Sequence, residues 1–205
     1  NERRYTMDIE KLKKNAEGRG FSFRYFDTGA EAADYLTGEL AGMTVGFGGS
    51  GTLDAIGLYD RLKAVCPDVV WHWREEPDAA RVRAMTTTAY LCSANAISET
   101  GEIVNIDGTG NRVASTSFGH KRLYIVAGVN KIEPTLERAV WRARNVAGPL
   151  RARGMGMDTP CAKGELKCYD CRSPQRVCRN LIIQMIPMMG MEKTEIVIIG
   201  EELGG

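Results

Sequence analysis

The sequence predicts an α/β fold, a largely parallel sheet with helices on both faces. Two observations carry this. Short apolar runs alternate along the chain with segments whose apolar residues recur at helical spacing. The runs at 123–129 and 195–200 are rich in Ile and Val and barely interrupted, the pattern of strands buried on both faces. Right-handed crossovers between such strands then follow from backbone chirality.

Taken in order, Tyr5, Ile9, Leu12 and Ala16 share one helical face, and Gly18 and Gly20 stand where a C-terminal cap belongs. Residues 1–20 therefore read as an N-terminal helix. Residues 21–26 alternate large aromatics with polar residues, a strand with at least one buried face. Asp27 or Thr28 caps a helix carrying Ala33, Leu36 and Leu40. Residues 43–47 form a short strand, and a glycine run follows at once. Leu53, Ile56 and Leu62 start one helix, residues 68–73 form a strand, and 77–87 read as a weakly patterned helix. The apolar run 89–92 stops at Ser93, Ala94 and Asn95. A turn (99–101), an apolar-polar alternation (102–107) and a second glycine-rich turn (108–111) come next. Beyond the strand 123–129, Pro134 suits the first turn of a helix with Leu136, Val140, Ala143 and Ala147 on its buried stripe. Residues 148–180 read as a basic, cysteine-rich loop before the last strand. The whole chain, 1–205, reads as a single domain.

Composition narrows the classes. With 27 basic and 26 acidic residues, net charge selects no partner. No run approaches the about 18 apolar residues of a membrane-spanning helix. The N-terminus is charged and amphipathic rather than a signal peptide, so a cytoplasmic location is expected, and its first residue, Asn1, suggests a fragment or trimmed chain. In that compartment six cysteines read as thiols or metal ligands before disulfides.

Three constellations carry chemistry. The first is Gly48, Gly49, Ser50, Gly51 and Thr52 between a strand and a helix. Glycines let backbone approach a ligand, and free N–H groups at a helix start suit a phosphate or carboxylate. A plain strand-to-helix turn capped by Ser50 or Thr52 would use the same residues. The run matches neither the phosphate loop of nucleotide triphosphatases nor a dinucleotide fingerprint. The second is the stretch 92–113. Asn95, Glu99, Asn105 and Asp107 offer an acid/base pair with orienting amides, and Gly108 and Thr109 a second ligand turn. Two ordinary hairpin turns are the alternative. His72 and His120 read as packed or surface residues.

The third is Cys161-x6-Cys168-x2-Cys171-x6-Cys178, four cysteines in 18 residues. Thiolates at this density suit an iron–sulfur cluster or zinc. Zinc ribbons use two close pairs and only one is present, so iron–sulfur is preferred, with structural or redox thiols as the alternative. Cys66 and Cys92 read as core thiols. Between Arg138 and Arg179, ten basic residues face three acidic ones, a local net charge of +7. That field suits a small anionic substrate or the thiolates themselves. Nucleic acid ranks below both, since Tyr169 is the lone aromatic beside the cysteines.

The strings GGSGTLDAIG, SANAISETGEIVNIDGTGNRV, LYIVAGVNKI, RARNVAGP, TPCAKGELKCYDCRSPQRVC and IVIIGEELG occur in that order. Together they resemble the LUD-domain (lactate-utilization) family, from about residue 20 to the C-terminus. The resemblance implies the fold shared by ribose-5-phosphate isomerase, sugar-phosphate deaminases and CoA transferases, in which a loop like GGSGT holds the anionic part of the ligand. SANAISETGEIVNIDGT is also similar to a pattern of methylthioribose-phosphate-type isomerases, with Asn95 where they keep a catalytic Asp. An amide cannot take up a proton as that carboxylate would, which leaves Glu99 or Asp107 as substitutes.

Three functions follow. The chain is expected to be a component of an iron–sulfur oxidoreductase system that handles a small carboxylate such as L-lactate, with iron–sulfur partner subunits implied by the family. The alternatives are an isomerase- or transferase-like enzyme on a phosphorylated or CoA-linked substrate, and a non-catalytic regulatory or assembly subunit.

Overall fold

Parallel pairing organises the chain. The computed structural model describes residues 7–205, so Tyr5 and the start of the expected N-terminal helix lie outside the described residues. Helix α1 (Ile9–Gly18) begins where the Asp8 carboxylate accepts from Lys11 N, and it buries Leu12 and Ala16. Strand β1 (Ser22–Phe26) leads into α2 (Gly29–Leu40), whose start is a capping box of Thr28 and Glu31. Strand β2 (Thr44–Phe47) follows. The single helix expected next is two, α3 (Gly51–Ala55) and α4 (Leu58–Lys63), because Gly57 turns left-handed at φ +63°.

Next come β3 (Asp68–Trp71), α5 (Pro77–Ala84) and β4 (Ala89–Cys92). An antiparallel hairpin of β5 (Ala96–Ser98) and β6 (Ile103–Asp107) precedes α6 (Asn111–Ser117) and β7 (Arg122–Gly128). A single 3-10 turn (Val129–Lys131) and β8 (Ile132–Glu133) follow. Pro134 lies ahead of the next helix rather than in its first turn. Thr135 is the N-cap, its hydroxyl accepting from Arg138 N, and α7 (Leu136–Arg142) starts after it. This helix passes through a π-helical turn (Ala143–Ala147) into α8 (Gly148–Gly154). Pro149, with no N–H to donate, follows just after the widened turn, at the start of α8. The segment 148–180 is therefore not all loop. It holds α8 and α9 (Pro160–Lys163), and β9 (Asn180–Gln184) begins at its end. Strand β10 (Lys193–Ile199) completes the described elements.

Six strands form one all-parallel sheet in the order β1-β10-β7-β4-β2-β3. Its two faces are apolar in alternate residues: Leu123 and Ile125 pack on one side, Tyr124 and Val126 on the other. That is why the run reads as continuous rather than alternating. A second, mixed sheet, β8-β5-β6-β9, was not expected from the sequence. Among the described residues no helix is long and apolar enough to cross a membrane.

One feature of the topology positions the site. From β2 the chain moves outward to β3, then returns past β2 to β4 and continues the other way to β7 and β10. The direction of winding thus reverses between β2 and β4, and their carboxyl ends open a crevice, the usual ligand position in such sheets.

Candidate functional site

The crevice is a cavity of about 420 Å³. Residues after β2, β4, β6 and β7 reach it, together with α8. Gly49, Ser50 and Gly51 form one wall. Ser50 caps α3, its hydroxyl accepting from Leu53 N at 3.1 Å. Part of the glycine content is required by packing. A Cβ on Gly48 would lie 2.9 Å from Cβ of Cys92, and one on Gly49 would meet the Trp73 ring at 3.2 Å. With only five residues in α3, helix polarity adds little, and positive charge in the cavity comes from side chains.

The most buried basic side chain there is Lys131, in the turn after β7. It is 4% exposed, lines the cavity, and donates to the Thr52 and Ser93 hydroxyls at 2.9 Å each. Burial, then the guanidiniums of Arg142 and Arg112, push its pKa down to about 7. Arg112 and Arg151 also line the cavity. Arg151 sits over the Trp73 ring, 5.4 Å from its centroid.

The candidates in the stretch 92–113 separate into three groups. Asn95 and Asp107 face the cavity. The Asn95 amide oxygen accepts from Ile106 N at 2.7 Å and Arg112 Nη2 at 2.9 Å. The Asp107 carboxylate accepts from the backbone N–H groups of Gly108, Arg112 and Val113 at 3.0–3.2 Å, so it caps α6. Asn105 is fully buried one layer behind; its Oδ1 accepts from Asn95 N at 3.1 Å. Glu99 does not join them. It is buried against α1, accepting from Asp8 N at 2.6 Å and Lys11 Nζ at 3.0 Å. Gly108 and Thr109 line the cavity, whereas Thr52 takes part through Lys131.

The four clustered cysteines come together. Cys161, Cys168, Cys171 and Cys178 are free thiols lining one small cavity of about 20 Å³. Arg176 Nη2 donates to Cys178 Sγ at 3.4 Å, Arg144 Nη2 to Cys168 Sγ at 3.7 Å, and Asp170 N to Cys168 Sγ at 3.4 Å. The last contact bends the Cys168-x2-Cys171 knuckle, with Asp170 at φ +44°. Among the described residues no three His, Cys, Asp or Glu side chains are placed to hold a metal ion. Gly148 and Val177 line both cavities, so the thiol cavity and the crevice share part of a wall. Cys92, fully buried, has its thiol pushed up to about 12 by burial, and the Cys66 thiol donates to Leu40 O at 3.1 Å; both belong to the core, as expected.

A family model described as the LUD domain matches residues 9–199. The chain belongs to the LUD-domain family. A solved DUF162 family protein from Deinococcus radiodurans is similar over 94% of this chain and 96% of its own, with 15% identity and a TM-score of 0.58; at that identity the likeness speaks for the fold alone. No curated protein matches the chain.

Sequence reasoning missed Lys131, Arg112 and Trp73 in this LUD domain. The rule that picked out Ser93 to Asn95, polar residues just past a buried strand, applies equally to Asn130 and Lys131 after 123–129. The basic segment is less of a single field than its composition suggests. Arg151 faces the cavity, Arg142 is spent on the carbonyls of Asn95 and Asn130, and Lys163 and Lys167 pair with Asp158 and Glu165. His120 is packed on Tyr90, with ring centroids 4.8 Å apart, and His72 lines the cavity with its pKa lowered by burial.

Proposed function

We propose that this LUD domain binds a small carboxylate such as L-lactate in the crevice, as a component of an iron–sulfur oxidoreductase system. The observation that carries the reading is the shared wall: Gly148 and Val177 bound both the cationic crevice and the four-thiol cavity. Arg112 and Arg151 supply charge for a carboxylate, and the glycine loop supplies close backbone approach. Asn95 is an amide and Asp107 is committed to three N–H groups, which favours binding over the proton abstraction an isomerase needs.

The residues that would hold the cluster are Cys161, Cys168, Cys171 and Cys178. The fit is one of donor type and shared cavity, and the N–H groups of Arg144, Arg176 and Asp170 are aimed at two of the sulfurs. When bound, such a cluster supplies one-electron transfer beside the ligand site. The chain's own residues orient the acid: the arginines fix its carboxylate, and Lys131 with the Ser93 and Thr52 hydroxyls offers a place for its 2-oxygen.

Anaerobic purification with iron and sulfide analysis tests the cluster. Stoichiometric iron and sulfide are expected; a colourless protein with stoichiometric zinc overturns the electron-transfer part. Calorimetry with L-lactate and pyruvate tests the crevice, with Arg151→Gln expected to weaken binding. Binding of a sugar phosphate but of neither acid would replace this reading with the isomerase-like one.

A further inference from the structure

We propose that Lys131 is an amine nucleophile that captures the carbonyl carbon of a small 2-oxo acid as a reversible imine. This deepens the carboxylate reading of the crevice and rests on it.

The geometry is unusual for a structural lysine. The side chain is buried, yet it lines the cavity. Its polar partners are two hydroxyls, Thr52 and Ser93, each at 2.9 Å, and the charged groups acting on it are the guanidiniums of Arg142 and Arg112, with the buried, neutral Cys92 thiol beside them. Asp107, in the same wall, has its carboxylate taken by three backbone N–H groups. A buried ammonium beside two guanidiniums is costly, so the neutral amine is favoured at physiological pH, in line with the pKa of about 7. Desolvation next to cationic groups is how a lysine becomes a nucleophile. A neutral amine that donates both protons to Thr52 and Ser93 keeps its lone pair for an incoming carbonyl.

The step balances without an oxidant. The Nζ lone pair forms the C–N bond as the C=O π pair moves to oxygen, and proton transfer from nitrogen, through the neighbouring hydroxyls, gives a carbinolamine. The carbinolamine oxygen then leaves as water, taking the second amine proton, and the C=N bond forms. Amine plus carbonyl becomes imine plus water. Arg112 and Arg151 hold the carboxylate meanwhile. Only the oxidised acid has a keto carbonyl at C2, so the site would retain a 2-oxo acid in preference to the 2-hydroxy acid.

The test is reductive trapping. The full chain is incubated with pyruvate and cyanoborohydride, digested and mapped by mass spectrometry, while calorimetry measures pyruvate binding to untreated protein. A carboxyethyl adduct concentrated on Lys131 is expected. It should be absent with L-lactate and lost in Lys131→Arg, which keeps a long side chain but removes the nucleophilic amine, with the melting temperature of the variant reporting that it folds. If pyruvate binds but the adduct is absent or spread over surface lysines, the imine is overturned and the carboxylate reading stands. If neither pyruvate nor L-lactate binds, both fall; L-lactate binding without pyruvate binding overturns the imine alone.

Discussion

Lys131 carries a stability signature that can be read without any ligand. Its pKa is about 7 in the folded chain against an ordinary 10.5, so between these values the unfolded chain holds a proton that the folded chain has released. Stability therefore rises with pH across this window, by at most about 1.4 kcal/mol per pH unit, and the penalty of burying the charge is fully present below about pH 7. Lys131→Met cannot titrate and should lose this slope. Urea melts of both proteins between pH ~7 and ~10 check it, and parallel profiles would sink the claim. Glu99 makes the opposite case. Its carboxylate ties α1 to the hairpin turn through Asp8 N and Lys11. Glu99→Gln should cost about 1–3 kcal/mol of stability by weakening buried, charge-assisted bonds. Ligand affinity should stay the same, and a large loss of affinity at unchanged stability would return Glu99 to the site.

At the scale of elements, the turn after β6 joins the two cavities. A Cβ on Gly108 would lie 2.9 Å from the backbone oxygen of Val177, which leaves no room for a side chain between them. Gly108→Ala should cost about 1–3 kcal/mol as an overpacking change. It should also loosen the next residue along, so that Cys178 is alkylated faster; lost stability with unchanged Cys178 reactivity would show that the turn and the thiol segment are not coupled. The strands of the large sheet were legible in the sequence because both faces are buried, as Leu123 and Tyr124 illustrate on opposite sides. The second sheet was not. β8 has two residues, β5 has three, and β9 leaves Leu181 exposed, so the pairing rests on distant partners such as Asn105 with Ile182. α8 was hidden for a different reason, since its sequence GPLRARG opens and closes on glycine and carries a proline. The glycine loop, Asn95 and Asp107 were found at the cavity because polar residues at strand ends are readable locally. Glu99 was misplaced because no local pattern says which neighbour a turn residue will face.

For the whole molecule, the crevice lies where the two sheets meet. β4 runs on into β5 and β7 into β8, so Ser93 to Asn95 and Lys131 occupy two of the four crossings between the sheets. The large sheet is covered by apolar side chains on both faces, whereas the thiol segment between α8 and β9 is held by side-chain bonds to backbone carbonyls, such as Arg153 to Ala162 and Arg176 to Cys171. Local opening follows buried contact, so hydrogen exchange should be slowest in β1, β10, β7, β4 and β2 and fastest across residues 158–179. Ligation by four cysteines would cross-link that segment and, through Cys178, the start of β9. Cluster loading should therefore slow exchange in 158–179 and in β9 while leaving β1 and β10, on the far side of the large sheet, unchanged. The comparison is between anaerobically reconstituted and iron-free protein by exchange mass spectrometry. Protection spread evenly over the large sheet, with none in 158–179, would mean that iron binds elsewhere than at the four clustered cysteines.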